Sequence, residues 1–461
     1  MLYEIIMRNG SFSMEDFKKI NSRGYLVGLT WPIFVELVLQ MLVSNVDQIM
    51  VAKTSGTAVA AIGNANVITN LLIISFSVIC MAATILITQY LGAGSTERVA
   101  QTYTVSMLVN VLFSLVIAFF LIGFPRQIFG LMGVPEELMR EACGYLRIIG
   151  FGMPLQAIHL TFVAFFRAHG LTRQTMFISI VMNLLNILGN FILINGLGPI
   201  PMLGVAGAAV SSDLSRLVGV MVIAWLFRRQ IRTPMSLRHL RPFPWEHLWR
   251  LLKIGIPSGG ESVSYNLTQI VIQTMCNTLP IYVITARVYS NMFATLSYLY
   301  VNSIAQATQI IVGYLMGARM AEETDKRVNS TLRWSMLVSF LVSLLLWVFC
   351  KPLFGLFTND PQVLDLCKTI MGIEILLELG RAGNIVLFRA LQTAGDIRFP
   401  ICLNVTTVWT VAVGGGYLLG IVLGWGLPGI WIAMTCDEVF RVLVSYLRWR
   451  SGKWRSKHLI D

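Results

Sequence analysis

Long apolar stretches follow one another almost without interruption from about residue 24 to 448. Each is long enough to cross a membrane as a helix, which needs roughly 20 mainly apolar residues. Short runs of turn-forming residues, such as Gly92-Ala93-Gly94-Ser95 and Asn359-Asp360-Pro361, separate them. The pattern predicts an all-α polytopic membrane protein with twelve transmembrane helices. We place the spans at about 24–52, 60–91, 98–124, 137–168, 173–196, 204–227, 248–278, 283–317, 329–350, 361–391, 398–422 and 427–447.

Composition agrees with a chain whose surface meets lipid. Charged residues make up 13% of the sequence and hydrophobic residues 56%, with a mean hydropathy of +0.70. A soluble domain carries roughly 25% charged residues. The seven cysteines are scattered singly, with no CxxC pair, so we expect neither a disulfide framework nor a structural metal site.

Basic residues are distributed unequally between the predicted loops. Of 35 Lys and Arg residues, 25 lie in the amino terminus, the even-numbered loops and the carboxyl tail, 7 lie in the odd-numbered loops and their flanks, and 3 lie inside spans. Cytoplasmic loops are enriched in Lys and Arg. The asymmetry predicts a multi-pass protein of the plasma (inner) membrane with both termini in the cytoplasm. It also accounts for the net charge of +12, so we expect no nucleic-acid partner.

The two halves of the sequence match at a nearly constant offset. Trp31-Pro32 at the start of span one recurs as Ile256-Pro257 in span seven, and Phe166-Arg167-Ala168 in span four recurs as Phe388-Arg389-Ala390 in span ten. The repeat predicts two pseudo-symmetric six-helix bundles in the same orientation. Parallel repeats of this kind place a substrate site between the halves near the midplane, and rocking exposes it to alternate sides. Pro32 and Pro257 would allow spans one and seven to bend.

The repeat and the basic, proline-containing segment between its halves predict five regions. They are a cytoplasmic amino-terminal segment 1–23, an N-lobe 24–228 with spans one to six, a cytoplasmic linker 229–247, a C-lobe 248–448 with spans seven to twelve, and a cytoplasmic tail 449–461.

Several acidic residues lie inside the predicted spans. Asp47 and Glu36 are in span one, Glu261 in span seven, and Glu374 and Glu378 in span ten. An ionised acid that faces lipid at the midplane costs roughly 3 kcal/mol or more. These groups must therefore face a cavity, pair with a base or bind a proton. Such a carboxyl group can take up a proton, or sodium with neighbouring oxygens, on one side and release it on the other.

Basic neighbours along a helix indicate which buried acids are structural. Arg441 follows Glu438 by three residues and Arg216 follows Asp213 by three, so we expect two ion pairs. His159 is expected to be a buried histidine with its hydrogen bonds satisfied.

Arg381 follows Glu378 by three residues and Glu374 by seven. We expect it to pair with one of these glutamates and leave the other available. Asp47 has no basic residue within a helical turn, since Lys53 is six residues away. Asp47 is therefore the acid for which a purely structural role is least expected.

Several sequence motifs, distributed from span one to the loop after span ten, form a characteristic set. They are Trp31-Pro32, Asn45-Val46-Asp47-Gln48-Ile49-Met50-Val51, Gln89-Tyr90-Leu91-Gly92-Ala93-Gly94, Asn186-Ile187-Leu188-Gly189-Asn190, Leu203-Gly204-Val205-Ala206-Gly207-Ala208-Ala209, Phe388-Arg389-Ala390-Leu391 and Gly395-Asp396-Ile397-Arg398-Phe399-Pro400. In this set the chain resembles the multidrug and toxic compound extrusion (MATE) family of transporters.

The resemblance implies an antiporter that exports cationic or amphipathic drugs and toxicants by alternating access while sodium ions or protons enter. The family's first-span acid falls on Asp47, and its span-five polar pair on Asn186 and Asn190. Some members have Asp at the position of Asn190, so one carboxylate is absent here. We expect Glu36 and Gln40 to line the same cavity.

In the second half, the family's span-ten acid falls on Glu378. Its span-seven acid usually stands where this chain has Tyr265, one helical turn after Glu261 on the same face. We therefore expect Glu261 to assist Glu378 and Asp47 as an ion-coupling residue, with Tyr265 and Glu374 lining the cavity.

Other functions are less consistent with the sequence. An enzyme would need a nucleophile with a base, or a metal cluster, and the five separate histidines show no HExxH motif. We expect no cofactor besides the coupling ion, and a monomer whose partners are small organic cations or drugs and membrane lipids. The alternative is a flippase or exporter of lipid-linked or oligosaccharide substrates of the same superfamily.

Overall fold

The structure is a computed structural model that describes residues 13–52, 56–196, 201–231, 233 and 235–460. A few side chains inside these ranges, Asp47 among them, lie outside the description. The described ranges form helices and contain no strand. The prediction of an all-α protein is confirmed.

Twelve long helical segments of the described chain correspond to the twelve predicted spans. Their bounds are α1 Arg23–Ala52, α2 Gly56–Gly92, α3 Thr96–Gly123, α4 Glu136–Ala168, α5 Thr172–Asn195, α6 Val205–Gln230, α7 Trp245–Asn277, α8 Ile281–Gly317, α9 Ala321–Val348, α10 Pro361–Thr393, α11 398–422 and α12 Gly426–Arg450. Most ends agree with the predicted spans to within about four residues. The exception is α9, which begins at Ala321 because polar turns containing Glu322 and Glu323 continue the helix beyond its apolar stretch.

Shorter elements join or flank these helices. They are Met14–Ile20, Pro125–Leu131, Cys350–Phe354 and the 3₁₀ turns Leu237–Leu240 and Lys453–Ser456. Within α11 the α-helix Arg398–Thr407 continues as π-helical turns over Val408–Gly414 and Tyr417–Val422. Wider turns of this kind interrupt the regular i to i+4 hydrogen bonding.

Eight of the twelve helices are long and apolar enough, by length and composition alone, to cross a membrane. The four that fall short are α7, α8, α10 and α12. Helices α10 and α12 carry buried charged residues, which lower their hydropathy. How α10 and α12 can lie in a membrane with these buried charges therefore needs a separate explanation.

The described chain divides into two compact units. Unit 1 contains Trp31–Gly255 and the described part of Met1–Asp16; unit 2 contains Phe17–Thr30 and Ile256–Asp461. Two of the three boundaries fall directly before a residue that precedes proline, inside α1 at Trp31 and inside α7 at Ile256. A proline inside a helix removes one main-chain hydrogen bond and permits bending.

Each unit has its own apolar core. In unit 1, α2, α4 and α6 pack through residues such as Phe76, Met153 and Ala209. In unit 2, α7, α8, α10 and α12 pack through residues such as Met371 and Trp431. Burial of these side chains positions the polar groups that lie on the same helices.

Candidate ion-coupling site

Glu36 of α1 is buried in unit 1 and is bound by a base and a hydroxyl. The Nη2 atom of Arg167, near the end of α4, lies 2.9 Å from Glu36 Oε2. The hydroxyl of Thr175, in the first turn of α5, donates to the same oxygen at 3.2 Å. Glu36 therefore joins three helices of unit 1, a structural role that the sequence prediction did not include.

The other predicted cavity residues of unit 1 differ in exposure. Gln40 is exposed, one helical turn after Glu36. Asn186 and Asn190 are buried on one face of α5, where Asn190 Nδ2 donates to Asn186 Oδ1 at 3.4 Å. Asn186 Nδ2 in turn donates to the hydroxyl of Ser212 on α6 at 3.1 Å. The two asparagines thus form a hydrogen-bonded polar layer between α5 and α6.

Asp213 and Arg216 form the predicted ion pair within α6, with Arg216 Nη1 3.0 Å from Asp213 Oδ1. Gly152 of α4 makes room for this pair, because a Cβ atom at that position would overlap the carboxylate of Asp213. His159 is buried as expected, but its Nδ1 atom has no hydrogen-bond partner in the described part of the chain. The expectation that this histidine is fully satisfied is therefore wrong at that atom.

In unit 2, α10 presents two acids and one base on a single face. Glu374, Glu378 and Arg381 follow one another at spacings of four and three residues, which place them on the same side of a helix. Arg381 Nη1 contacts Glu378 Oε1 and lies 3.6 Å from Glu374 Oε1. The indole Nε1 of Trp431, on α12, donates to Glu374 Oε2 at 2.6 Å. The expectation that Arg381 leaves one glutamate without a charge partner is wrong, because it contacts both.

Helix α12 carries a second set of the same composition. Arg441 Nη2 lies 2.5 Å from Asp437 Oδ2 and 2.8 Å from Glu438 Oε1. The predicted pairing of Glu438 with Arg441 is confirmed, and Asp437 joins it. Asn384 of α10 donates to Glu438 Oε2 at 3.1 Å, so the set on α12 is hydrogen-bonded to α10.

The close approach of α10 and α12 depends on small residues. A Cβ atom at Gly380 would lie 3.0 Å from the Cβ and the carbonyl carbon of Glu438. A Cβ atom at Gly383 would overlap a methyl group of Val442. Because these positions are glycine, the backbones approach closely enough for the two charged sets to act on each other.

Glu261 of α7 is part of the same polar region. Its Oε1 atom accepts a hydrogen bond from Asn404 Nδ2 of α11 at 3.4 Å. The described residues give it no direct ion pair; Arg441 and Arg389 act on it only from a longer range. Tyr265, one turn later, is partly buried and acts electrostatically on Arg381. The structure therefore brings Glu261, Tyr265, Glu374 and Glu378 together in one region of unit 2.

The acids and bases of α10 and α12 form a buried cluster with more acids than bases, which we call the C-unit charge cluster. Its four carboxylates, from Glu374, Glu378, Asp437 and Glu438, share two guanidiniums, from Arg381 and Arg441. Guanidinium groups stay protonated in proteins. Two carboxylates are therefore uncompensated if all four are ionised, and uncompensated charge in a buried site is strongly unfavourable. Uptake of protons or other cations would remove this excess.

The sequence identified Glu378, Glu374 and Glu261 as candidates, predicted only a local ion pair of Glu438 with Arg441, and assigned no partner to Asp437. The i to i+3 and i to i+4 spacings on both helices were visible in the sequence. Which faces of α10 and α12 meet was not, because that depends on Gly380 and Gly383. Asp47 lies in α1, and its side chain is outside the description, so its predicted role stays a prediction.

Known proteins place this architecture in a family. The family model MatE matches residues 32–192 and 257–418. The chain belongs to the MATE family of transporters. The two matched segments begin at Pro32 and Pro257, the two prolines that correspond to each other in the sequence repeat, so the internal repeat is confirmed.

Relatives of this MATE-family chain span nearly its whole length. It is 36% identical over 452 residues to the uncharacterized transporter YisQ of Bacillus subtilis, covering 98% of this chain and 99% of that protein. It is 26% identical to a probable multidrug resistance protein NorM of Thermotoga maritima, covering 95% of this chain and 94% of that one. A crystal structure of a mutant of the Vibrio cholerae MATE transporter VcmN has the same fold, with a TM-score of 0.87 at 18% identity, covering 96% of this chain and 99% of that one.

Proposed function

We propose that this MATE-family transporter is a secondary active antiporter of the plasma membrane. It exports cationic or amphipathic small molecules by alternating access while sodium ions or protons enter the cell. The observation that carries the proposal is the C-unit charge cluster, in which four buried carboxylates share two guanidiniums. Ionisable residues buried in a membrane protein mark substrate, ion or proton pathways.

The coupling role of the cluster follows from its charge. When the site is loaded, the excess negative charge is neutralised and the buried state becomes less costly. When the site is empty, the same charge favours contact with water. Loading can therefore shift the equilibrium between two orientations of the transporter, provided that the coupling ion binds one orientation more tightly. Glu261, which lacks a direct ion pair within the described residues, is placed to assist Glu378 in this exchange.

A cationic substrate is consistent with this charge balance. Complementary potentials favour binding, whereas like charges suppress it. The NorM relative from Thermotoga maritima is named as a probable multidrug resistance protein, which agrees with export of small organic molecules. The alternative of flipping an anionic lipid-linked substrate would bring like charges together near this cluster. The asymmetry of basic loop residues favours cytoplasmic termini, and the exported molecule would then leave from the cytoplasm.

The test is transport in proteoliposomes that contain the full chain. Ethidium serves as the cationic probe, and sodium and pH gradients are imposed separately. We expect one of the two gradients to drive ethidium beyond its equilibrium distribution, and Glu378→Gln to abolish this accumulation. Glu136→Gln, which removes an exposed carboxylate paired with Arg126, is the matched control and should transport normally. Ethidium that only equilibrates under both gradients would contradict the proposal.

A further inference from the structure

Arg381 occupies the position where a metal cation would bridge the two glutamates of α10. A single nitrogen, Nη1, contacts Glu378 Oε1 and lies 3.6 Å from Glu374 Oε1. Both carboxylates are almost completely buried, and the side chain of Arg381 is 14% exposed. A hard cation such as sodium is bound by several oxygens at once. In this structure Oε1 of Glu374 and Oε1 of Glu378 already face the positively charged guanidinium of Arg381.

The outer oxygens of the two glutamates are differently engaged. Glu374 Oε2 accepts the 2.6 Å hydrogen bond from Trp431. Glu378 Oε2 is buried and has no hydrogen-bond partner among the residues that the structure describes. A proton needs only one oxygen, and a protonated carboxyl group gains an O–H donor. Glu378 can therefore bind a proton while Arg381 stays in place.

Groups on α7, α9 and α12 act on this centre. Glu438 of α12 and Tyr265 of α7 are the further groups that act electrostatically on Arg381. Glu261 of α7 lies within the range of Glu438 and Arg441. From α9, Ser339 contributes a hydroxyl that donates to the main-chain oxygen of Glu378 at 3.2 Å. Apart from the guanidiniums, these groups are acids or neutral donors.

We infer that Arg381 is an ion-selectivity residue: it acts as a resident cation that excludes sodium from the Glu374–Glu378 centre and leaves a site for protons. The inference rests on the proposed function, because it specifies which ion the antiporter exchanges. A proton that binds Glu378 Oε2 changes the net charge of Glu374, Glu378 and Arg381 from −1 to 0, and its release restores −1. Sodium at the same place would approach the guanidinium closely and meet like-charge repulsion in a buried site.

The first test measures ion binding without transport, so that it does not depend on finding a substrate. The thermal midpoint of the purified full chain is recorded in sodium chloride and in choline chloride at equal ionic strength. An ion that binds the folded state alone raises the midpoint by mass action. We expect no sodium-specific rise for the wild type. We expect Arg381→Gln to gain one of roughly 2 °C at an about tenfold excess of sodium over its dissociation constant.

Two controls separate selectivity from general destabilisation. Arg381→Lys keeps the positive charge and should stay insensitive to sodium. Arg216→Gln removes a comparable i to i+3 partner, that of Asp213 in unit 1, which pairs with a single acid among the described residues, and should gain no sodium response. If Arg381→Gln yields no folded protein in choline but folds in sodium, the inference is supported. If it folds in neither salt, Asp47→Asn and the double variant Asp47→Asn with Arg381→Lys decide, since a sodium-specific rise in either, with the first-span acid removed, overturns the inference.

A transport measurement distinguishes failure of this inference from failure of the proposed function. In proteoliposomes, a pH gradient should drive ethidium accumulation by the wild type, and a sodium gradient should drive none above the choline control. Sodium-driven accumulation by the wild type would overturn the inference and leave the antiport proposal intact. Absence of accumulation under either gradient would contradict the antiport proposal, while the binding measurement would still decide the selectivity of the centre.

Discussion

Arg167 holds Glu36 through an ion pair of 2.9 Å between α4 and α1, inside unit 1. Glu261 stands at the equivalent position of the second half of the sequence, yet it has only a 3.4 Å hydrogen bond from Asn404. Arg389, the counterpart of Arg167 in the sequence repeat, donates to Gln309 at 3.1 Å. The repeat therefore contains one acid that forms an ion pair with a base and one acid that has no direct ion pair among the described residues.

This contrast predicts that equivalent Glu→Gln substitutions affect different properties, the unfolding free energy at position 36 and ion-coupled transport at position 261. Glu36→Gln breaks the ion pair between the buried Glu36 and the partly buried Arg167, and breaking a buried ion pair typically costs about 3–5 kcal/mol of unfolding free energy. Glu261→Gln breaks no direct ion pair in the described structure and should change thermal stability much less, while it lowers ion-coupled ethidium transport. Thermal unfolding and transport are measured on both variants. Equal stability losses, or full transport by Glu261→Gln, would argue against the assignment.

Close packing of α10 on α12 is predicted to be sensitive to one methyl group. Gly380→Ala places a Cβ atom 3.0 Å from the backbone of Glu438, and overpacking of this kind typically costs about 1–3 kcal/mol. We expect a lower thermal midpoint and weaker transport, because the charged sets on the two helices move apart. Gly144→Ala, on α4, meets no atom within 4 Å and serves as the control. A Gly380→Ala variant as stable as Gly144→Ala would contradict this packing.

The twelve helices could be predicted from the sequence because each contains a long apolar stretch with turn residues at its ends. The start of α9 could not, since Glu322 and Glu323 extend the helix outside the apolar pattern that locates spans. Pairing along one helix was also predictable, as Asp213 with Arg216 shows, because residues three apart share a face. The assembly of Asp437 and Glu438 with the acids of α10 was not, because it depends on which faces of two helices meet.

The packing of the carboxyl-terminal tail could not be predicted from the sequence either. The sequence predicts a cytoplasmic tail after residue 448, and polarity alone indicates no packing there. In the structure the indole of Trp454 is buried and stacks on Trp449, with ring centroids 4.2 Å apart. Trp454 Nε1 donates to the main-chain oxygen of Trp449 at 2.9 Å, and Trp449 Nε1 donates to Asp325 at 2.7 Å.

Trp454 is therefore predicted to stabilise unit 2. Trp454→Ala removes a buried aromatic side chain, which typically costs about 3–5 kcal/mol. We expect a lower thermal midpoint together with normal selectivity between protons and sodium, because the residue lies outside the C-unit charge cluster. Trp425→Ala, at an exposed tryptophan, is the matched control. If both variants unfold at the wild-type midpoint, the tail contributes nothing to the stability of the unit.

Asp47 provides a prediction that follows from the sequence and from the family resemblance. Asp47→Asn should abolish drug resistance of cells that express the protein without lowering the amount of protein in the membrane. Resistance to ethidium and protein abundance are measured in the same cells. Full resistance of the variant would remove Asp47 from the coupling mechanism, and the account would then rest on the acids of unit 2.

Reciprocal coupling is the direct test of proton-coupled export, because an antiporter must let either solute drive the other. Proteoliposomes are loaded with ethidium and diluted into ethidium-free medium with no initial pH gradient, and internal pH is recorded. If export is coupled to protons, ethidium efflux acidifies the interior as protons enter in exchange. Glu378→Gln is expected to abolish this change. Ethidium efflux with no change of internal pH, or an equal change with Glu378→Gln, would contradict proton-coupled export through the C-unit charge cluster.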